Sequence, residues 1–316
     1  MNRPITFGHK FYGHGKLLLS GEYFILDGAL GLAFPTTVGQ RMDVRYRKNY
    51  NPTIHWKSYT HEKKLWFECN FEFWRFEILT TNNQQIAEKL QTILIQARNQ
   101  NSHFLRDMEN DDIFVDTFLE FPRDWGLGTS STLIHMIAQW ANIGPHQLLI
   151  NSFLGSGYDI ICAQSPGPIL YQLENARPTW KITTFNPPFA DELFFIHLNK
   201  KKDTQLAIMN YKKMPKPTKT SIEKINSITE QLLKTQKMEE FSSLICEHEN
   251  IISDHLKIKR IKEELFPDYP YEIKSLGAWG GDFILAIGNN NPNFTREYFA
   301  KKGHGTCIPF KELVKI

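Results

Sequence analysis

The chain has 316 residues, 41% of them hydrophobic and 22% charged, the balance of a soluble globular protein with room for two cores sharing a cleft. Lys and Arg number 37 against 34 Asp and Glu, far from the basic excess that a polyanion demands, so nucleic acid is excluded as a partner. Cys69, Cys162, Cys246 and Cys307 form no CxxC pair and no compact framework, which argues against zinc and disulfides and for reduced thiols in the cytoplasm. No apolar run near the N-terminus has signal-peptide length and none elsewhere could span a membrane.

From residue 11 to 40 short apolar stretches alternate with glycines, predicting short strands joined by tight turns, and further strands are expected at 41–46, 53–59, 64–69 and 73–79. Trp56, Trp66, Phe71, Phe73, Trp74 and Phe76 in this stretch read as core and sheet packing, with an adenine-stacking wall as the alternative. Ile86, Leu90, Ile93, Leu94 and Ala97 then recur at helical spacing, and 113–121 returns to alternation. A glycine-rich turn at 126–131 feeds an apolar helix over 132–141, and a second glycine turn follows at 155–157. The texture changes near Arg177, where the domain boundary is placed, giving domains 1–177 and 178–316. Beyond it come a strand at 193–198, a lysine-bearing stretch at 200–219 that reads as a solvated face, and helices over 221–265. His248 and His255 on those helices are expected at the surface, and none of the 11 histidines has ligand spacing for a metal. The tail predicts strand, glycine turn, strand (283–287), helix (293–301) and a last strand near Thr306.

The segment Pro122-Arg-Asp-Trp-Gly126-Leu127-Gly128-Thr129-Ser130-Ser131 sits between a strand and a helix, where open backbone N–H groups and the helix dipole attract anions. Glycine permits close approach to a phosphate, and the Thr129 and Ser130 hydroxyls can donate to phosphate oxygens or ligate Mg²⁺. Taken alone, the same residues describe a turn whose hydroxyl merely caps the next helix. GxxxxGK[ST], HRD and DFG are all missing, so P-loop and protein-kinase chemistry do not fit.

This segment resembles the second signature of the GHMP kinases, P-x-x-x-G-L-G-S-S-A. The first signature is matched by Gly15-Lys16-Leu-Leu-Leu-Ser20-Gly21-Glu22-Tyr23 through Gly28, and the third by Lys274-Ser-Leu-Gly277-Ala278-Trp279-Gly280-Gly281-Asp282. Gly155-Ser156-Gly157-Tyr158-Asp159 is similar to the SGxD segment of mevalonate and phosphomevalonate kinases. The resemblance implies an α+β chain with an N-terminal domain like the second domain of ribosomal protein S5, a C-terminal ferredoxin-like domain, and ATP and substrate in the cleft between them. It implies transfer of the γ-phosphoryl group of MgATP to mevalonate or phosphomevalonate, in the isoprenoid precursor pathway. Asp159 then becomes the catalytic aspartate and Lys16 the cation beside it and the transferred phosphate. Gly126, Leu127, Gly128, Thr129, Ser130 and Ser131 bind ATP, with Ser130 on the metal. Glu22, Ser156, Gly157, Gly277 and Ala278 are assigned to substrate, with a role in metal binding or only in the fold left open for Glu22. A homodimer is compatible with this reading.

Two positions depart from the pattern. Trp279 replaces a glycine and is expected to narrow the phosphate cleft or cover the substrate. Leu148 stands eleven residues before Asp159, where mevalonate kinases carry a magnesium-binding glutamate. The stretch between the second signature and Asp159 is shorter than in those families, which further implies a missing helix beside the site. Two rival readings follow: a GHMP-fold module that binds ligand without catalysis, and a related diphosphomevalonate decarboxylase.

Overall fold

The computed structural model describes residues 7–152, 155–175, 177–289 and 291–316. Residues 1–6, part of the N-terminal stretch read above for an export signal, lie outside them. The chain forms two compact units that interleave along the sequence. The first comprises the described residues of Met1–Gly15, Val38–Arg123 and Gly128–Gln164; the second comprises those of Lys16–Thr37, Asp124–Leu127 and Ser165–Ile316. Two long strands, β1 (Phe7–Ser20) and β2 (Gly31–Lys48), contribute residues to both. They replace the short strands expected at 11–40: β2 continues through Gly39, whose Cα lies too close to Tyr12 and Gly13 to carry a side chain.

In the first unit β3 (Thr53–Tyr59), β4 (Leu65–Glu72), β5 (Ile78–Thr81) and β6 (Asp111–Leu119) join the end of β2 in the order β5-β4-β3-β6-β2, with β3 and β6 parallel and the other pairs antiparallel. Ile54, Trp56 and Ser58 alternate into the protein along β3, the two-residue period of a strand covered on one face. Against that face pack α1 (Gln84–Gln100), α2 (Thr129–Trp140) and α3 (Pro145–Ser152), with Leu90, Ile93, Leu94, Ile134, Ile137 and Leu148 in one apolar cluster. Asn83 caps α1, its Oδ1 accepting from the Ile86 N–H at 3.2 Å. The strand expected at 73–79 begins only at Ile78, in β5, and a turn precedes it: the Glu72 carboxylate accepts from the Trp74 and Arg75 N–H groups, both at 2.6 Å, and Phe76 takes a φ of 57°. Trp56, Phe71, Phe73 and Phe76 are core residues, while Trp74 is 56% exposed. The helix α4 (Tyr158–Gln164) completes the unit.

In the second unit β7 (Ile169–Glu174) and β8 (Arg177–Ile182) form a hairpin, β7 pairing also with Gly31–Ala33 of β2. A separate antiparallel sheet follows the order β10-β11-β9-β12, from β9 (Leu193–His197), β10 (Ile273–Ser275), β11 (Phe283–Ile287) and β12 (Cys307–Pro309). Every residue of β9 and β11 is buried, which is why β11 and the first four residues of β9 read as apolar runs. The helices are α5 (Thr204–Tyr211), α6 (Lys219–Lys234), α7 (Met238–Leu256), α8 (Ile261–Leu265), α9 (Pro292–Lys301) and α10 (Phe310–Leu313). The lysine-bearing stretch thus contains a helix, started by Asp203, whose Oδ1 accepts from the Gln205 and Leu206 N–H groups. The α+β class expected from the resemblance is borne out. Among the described residues no helix is long and apolar enough to cross a membrane.

Candidate functional site

The second-signature turn ends on Gly128, which has a φ of 94° and caps α2 without any side-chain hydrogen bond to the helix. The Thr132 N–H is the first to turn back, reaching the Gly128 carbonyl at 3.0 Å, so the N–H groups of Thr129, Ser130 and Ser131 point out of the helix end. The three side chains divide the work. Ser131 is buried and its Oγ donates to the Gly128 carbonyl at 2.9 Å, leaving only its backbone for a ligand. Thr129 is half-buried and Ser130 exposed, and neither hydroxyl takes a partner among the described residues. Behind them Thr132 Oγ1 donates to Gln40 Oε1 at 2.6 Å, and a Cβ on Gly13 would meet Thr132 at 3.2 Å, so β1 and β2 fix the helix start.

Leu127 is 1% exposed, and its carbonyl accepts from the Lys16 N–H at 2.9 Å. Gly126 has a φ of 64°, and a Cβ there would collide with the Asp282 carboxyl group. Trp125 packs edge-on against Phe283 at 5.3 Å and beside His197, which anchors the turn on β9 and β11. Burial pushes the Asp282 carboxyl above the usual carboxylate range, while the charge of Lys16 draws it back. Asp282 was legible as the end of the third signature but not as a neighbour of the phosphate turn.

The third-signature loop runs left-handed at Gly277 (58°), Trp279 (50°), Gly280 (77°) and Asp282 (51°). The expected blockade by Trp279 does not occur. Its side chain is 2% exposed and turns away into an apolar cluster with Phe24, Ala29, Tyr211, Ile225 and Ile252. The backbone therefore keeps the glycine-like conformation while the indole supplies core. Ala278 is buried, and its carbonyl accepts from Tyr23 Oη at 3.0 Å.

Glu22, left open above between a ligand and the fold, has no exposed surface and belongs to a buried network. Lys274 Nζ donates to Glu22 Oε1 at 2.5 Å, Glu249 Oε1 at 3.0 Å and the Ser275 carbonyl at 2.6 Å, while Ser275 Oγ donates to Glu249 Oε2 at 2.8 Å. His248, expected at the surface, is wholly buried; its Nε2 accepts from the Gly21 N–H at 3.0 Å and stands 3.3 Å from Glu22 Oε2. An imidazole nitrogen that already accepts has neither a proton nor a second lone pair for that oxygen, so Glu22 Oε2 takes no hydrogen-bond partner among the described residues. Burial raises the Glu22 carboxyl to about 7 against the pull of Lys274. Burial and the nearby Lys274 hold His248 neutral, well below the usual histidine range. Burial likewise lifts Glu249, and it pulls Lys274 down, though the two glutamates more than restore it.

Asp159 opens α4 behind Gly157, whose φ is 90°. Its Oδ1 accepts from the Ile160 N–H at 3.1 Å, and Ile160 through Ala163 are buried, seating a half-buried carboxylate on a fixed helix. Ser156 is half-buried beside it in sequence. Lys16 lies half-buried on β1, next to the buried run Leu17, Leu18 and Leu19. Leu148 is fully buried in the first unit's core, where a metal-binding carboxylate would be misplaced. Among the described residues no group of three or more His, Cys, Asp or Glu side chains could hold a metal ion.

Neither a family model nor a curated protein matches the chain. Solved structures do, at low identity. Streptococcus pneumoniae phosphomevalonate kinase in complex with phosphomevalonate and AMPPNP is similar with a TM-score of 0.68 at 15% identity, over 96% of this chain and 99% of that one. A galactokinase of Lactococcus lactis complexed with galactose gives 0.64 at 11% identity, over 98% and 93%. The mevalonate kinase of L. major in complex with R-mevalonate gives 0.59 at 16% identity, over 96% and 94%. The chain therefore has the fold shared by these kinases, over at least 96% of its length.

Proposed function

We propose that the protein is an ATP-dependent small-molecule kinase that phosphorylates mevalonate or phosphomevalonate, an activity of the isoprenoid precursor pathway in the cytoplasm. The observation that carries this reading is the open N-terminus of α2, with three outward N–H groups behind two left-handed glycines in a chain of this fold. Such an end binds phosphate oxygens through its donors and its dipole together. In this reading Gly126 to Ser131 hold the triphosphate, Lys16 stabilises charge on the transferred group, Ser156, Gly157, Gly277 and Ala278 lie toward the acceptor, and Asp159 faces the acceptor oxygen. The sequence division at 177/178 is kept as a proposal for the ATP-binding and ferredoxin-like domains.

The acceptor oxygen attacks the γ-phosphorus, the bond from that phosphorus to the β,γ-bridging oxygen breaks, and ADP leaves. With a hydroxyl acceptor the proton passes to Asp159; with a phosphate acceptor there is none to remove, and Asp159 only orients the nucleophile. The donor set fits Mg²⁺ in the manner of a cation held mostly by phosphates and water, with the exposed Ser130 hydroxyl as its protein ligand. Mg²⁺ when bound neutralises phosphate charge. Purified protein incubated with ATP and either acceptor should release ADP and phosphorylated product together. Asp159→Asn should lower turnover about 10²–10⁴-fold on mevalonate and less on phosphomevalonate. AMPPNP binding without product from any acceptor would move the protein to the non-catalytic module.

A further inference from the structure

Residues 200–202 are consecutive lysines. The structure ties them to the third-signature loop. The Asp282 N–H donates to the Lys200 carbonyl at 2.7 Å, and Asp282 Oδ1 accepts from the Lys202 N–H at 3.4 Å. Gly281 has no room for a side chain, because a Cβ would stand 2.8 Å from Lys202 Cβ and 2.9 Å from the Lys200 carbonyl oxygen. One residue earlier, the Cβ position of Gly280 lies 3.7 Å from Lys202 Nζ. Lys200 and Lys201 are exposed, whereas Lys202 is half-buried and pairs with no carboxylate among the described residues.

The loop presents donors to the same place. It turns left-handed on both sides of Gly281, and among the described residues the N–H groups of Gly280 and Gly281 take no acceptor. Gly281 is a buried residue, and its N–H is free to donate to an incoming acceptor. Successive N–H groups in such a turn form an anion-binding concavity, to which Lys202 adds a full charge. The triphosphate is already provided for by the α2 terminus, on another segment, so a second anion site matches a second anionic reactant.

We propose that Lys202, with the N–H groups of Gly280 and Gly281, binds a carboxylate or phosphate group of the phosphoryl acceptor, and thereby selects small anionic acceptors over neutral sugars. This rests on the kinase reading above. Titration calorimetry of the full chain with phosphomevalonate, mevalonate, galactose and AMPPNP tests it. The wild type should bind the two anionic compounds and not galactose. Lys202→Met should weaken them about tenfold, as expected for one lost charge-assisted contact, and leave AMPPNP affinity unchanged, with Lys202→Arg restoring most of the loss. Weakened AMPPNP with unchanged acceptors would assign Lys202 to the nucleotide and overturn the inference. So would equal affinities in all variants, a preference for galactose, or AMPPNP binding with no acceptor bound. Failure of the wild type to bind AMPPNP would overturn the kinase reading itself.

Discussion

The second-signature turn and the third-signature loop use the same backbone device for different ends. At Gly126 the left-handed φ of 64° comes with a wall, the Asp282 carboxyl group, so both conformation and space demand glycine. At position 279 the φ is 50°, yet the side chain has somewhere to go, and a tryptophan fills it. Gly277 is a third case, with a φ of 58° and open space around it. A glycine signature therefore records a backbone conformation first; whether a side chain is tolerated depends on the neighbours of each Cβ.

This contrast can be broken by substitution. Trp279→Gly should cost the most, about 3 kcal/mol, because truncating a buried aromatic costs about 3–5 kcal/mol while relief of the left-handed strain returns about 1. Thermal unfolding would show it, and an unchanged melting point would mean that the indole is not core. Gly126→Ala should cost about 2 kcal/mol from strain and overpacking together, and should weaken AMPPNP binding measured by calorimetry. Gly277→Ala should cost only the strain, about 1 kcal/mol, since nothing lies within 4 Å of its Cβ. Equal losses at the two glycines would remove the distinction drawn from space.

The smallest effects are in pH dependence, and they separate two partners in the buried network beside the loop. The Glu22 carboxyl, raised to about 7, favours the native state most below about 4.5, and that contribution fades as pH rises toward 7. His248, held neutral, acts the other way: its contribution is present above about 6.5 and lost as pH falls. Between these limits the two oppose each other. Melting points from pH 5 to 8 should rise more steeply with pH in Glu22→Gln than in the wild type, and less steeply in His248→Gln. Parallel curves for all three proteins would mean that neither group changes its proton affinity on folding.

The turn at Gly126 to Ser131 was legible because its elements are consecutive, and α1 because Leu90, Leu94 and Ala97 mark one face. The Glu22 network was not, since His248 meets Gly21 across 227 positions and Lys274 meets Glu22 across 252. Sequence order carries no sign of such partners, so the role of Glu22 stayed open and His248 read as a surface histidine. The indole of Trp279 was misplaced for a related reason: a residue type at a signature position does not tell which way its Cβ points. The strand expected from residue 73 starts late, at Ile78, because Glu72 satisfies the backbone of its own turn, an alternative that aromatic content conceals.

Trp279 has a further consequence, for the entropy of binding. A run of glycines explores many conformations when free, and any ligand that needs one of them must bear the cost of ordering the rest. Here the indole is sunk among Phe24, Tyr211 and Ile252, and Tyr23 holds the carbonyl of Ala278, so the loop is pinned from beneath by the same packing that folds the unit. The ordering is done once, during folding, and the loop meets each ligand already set.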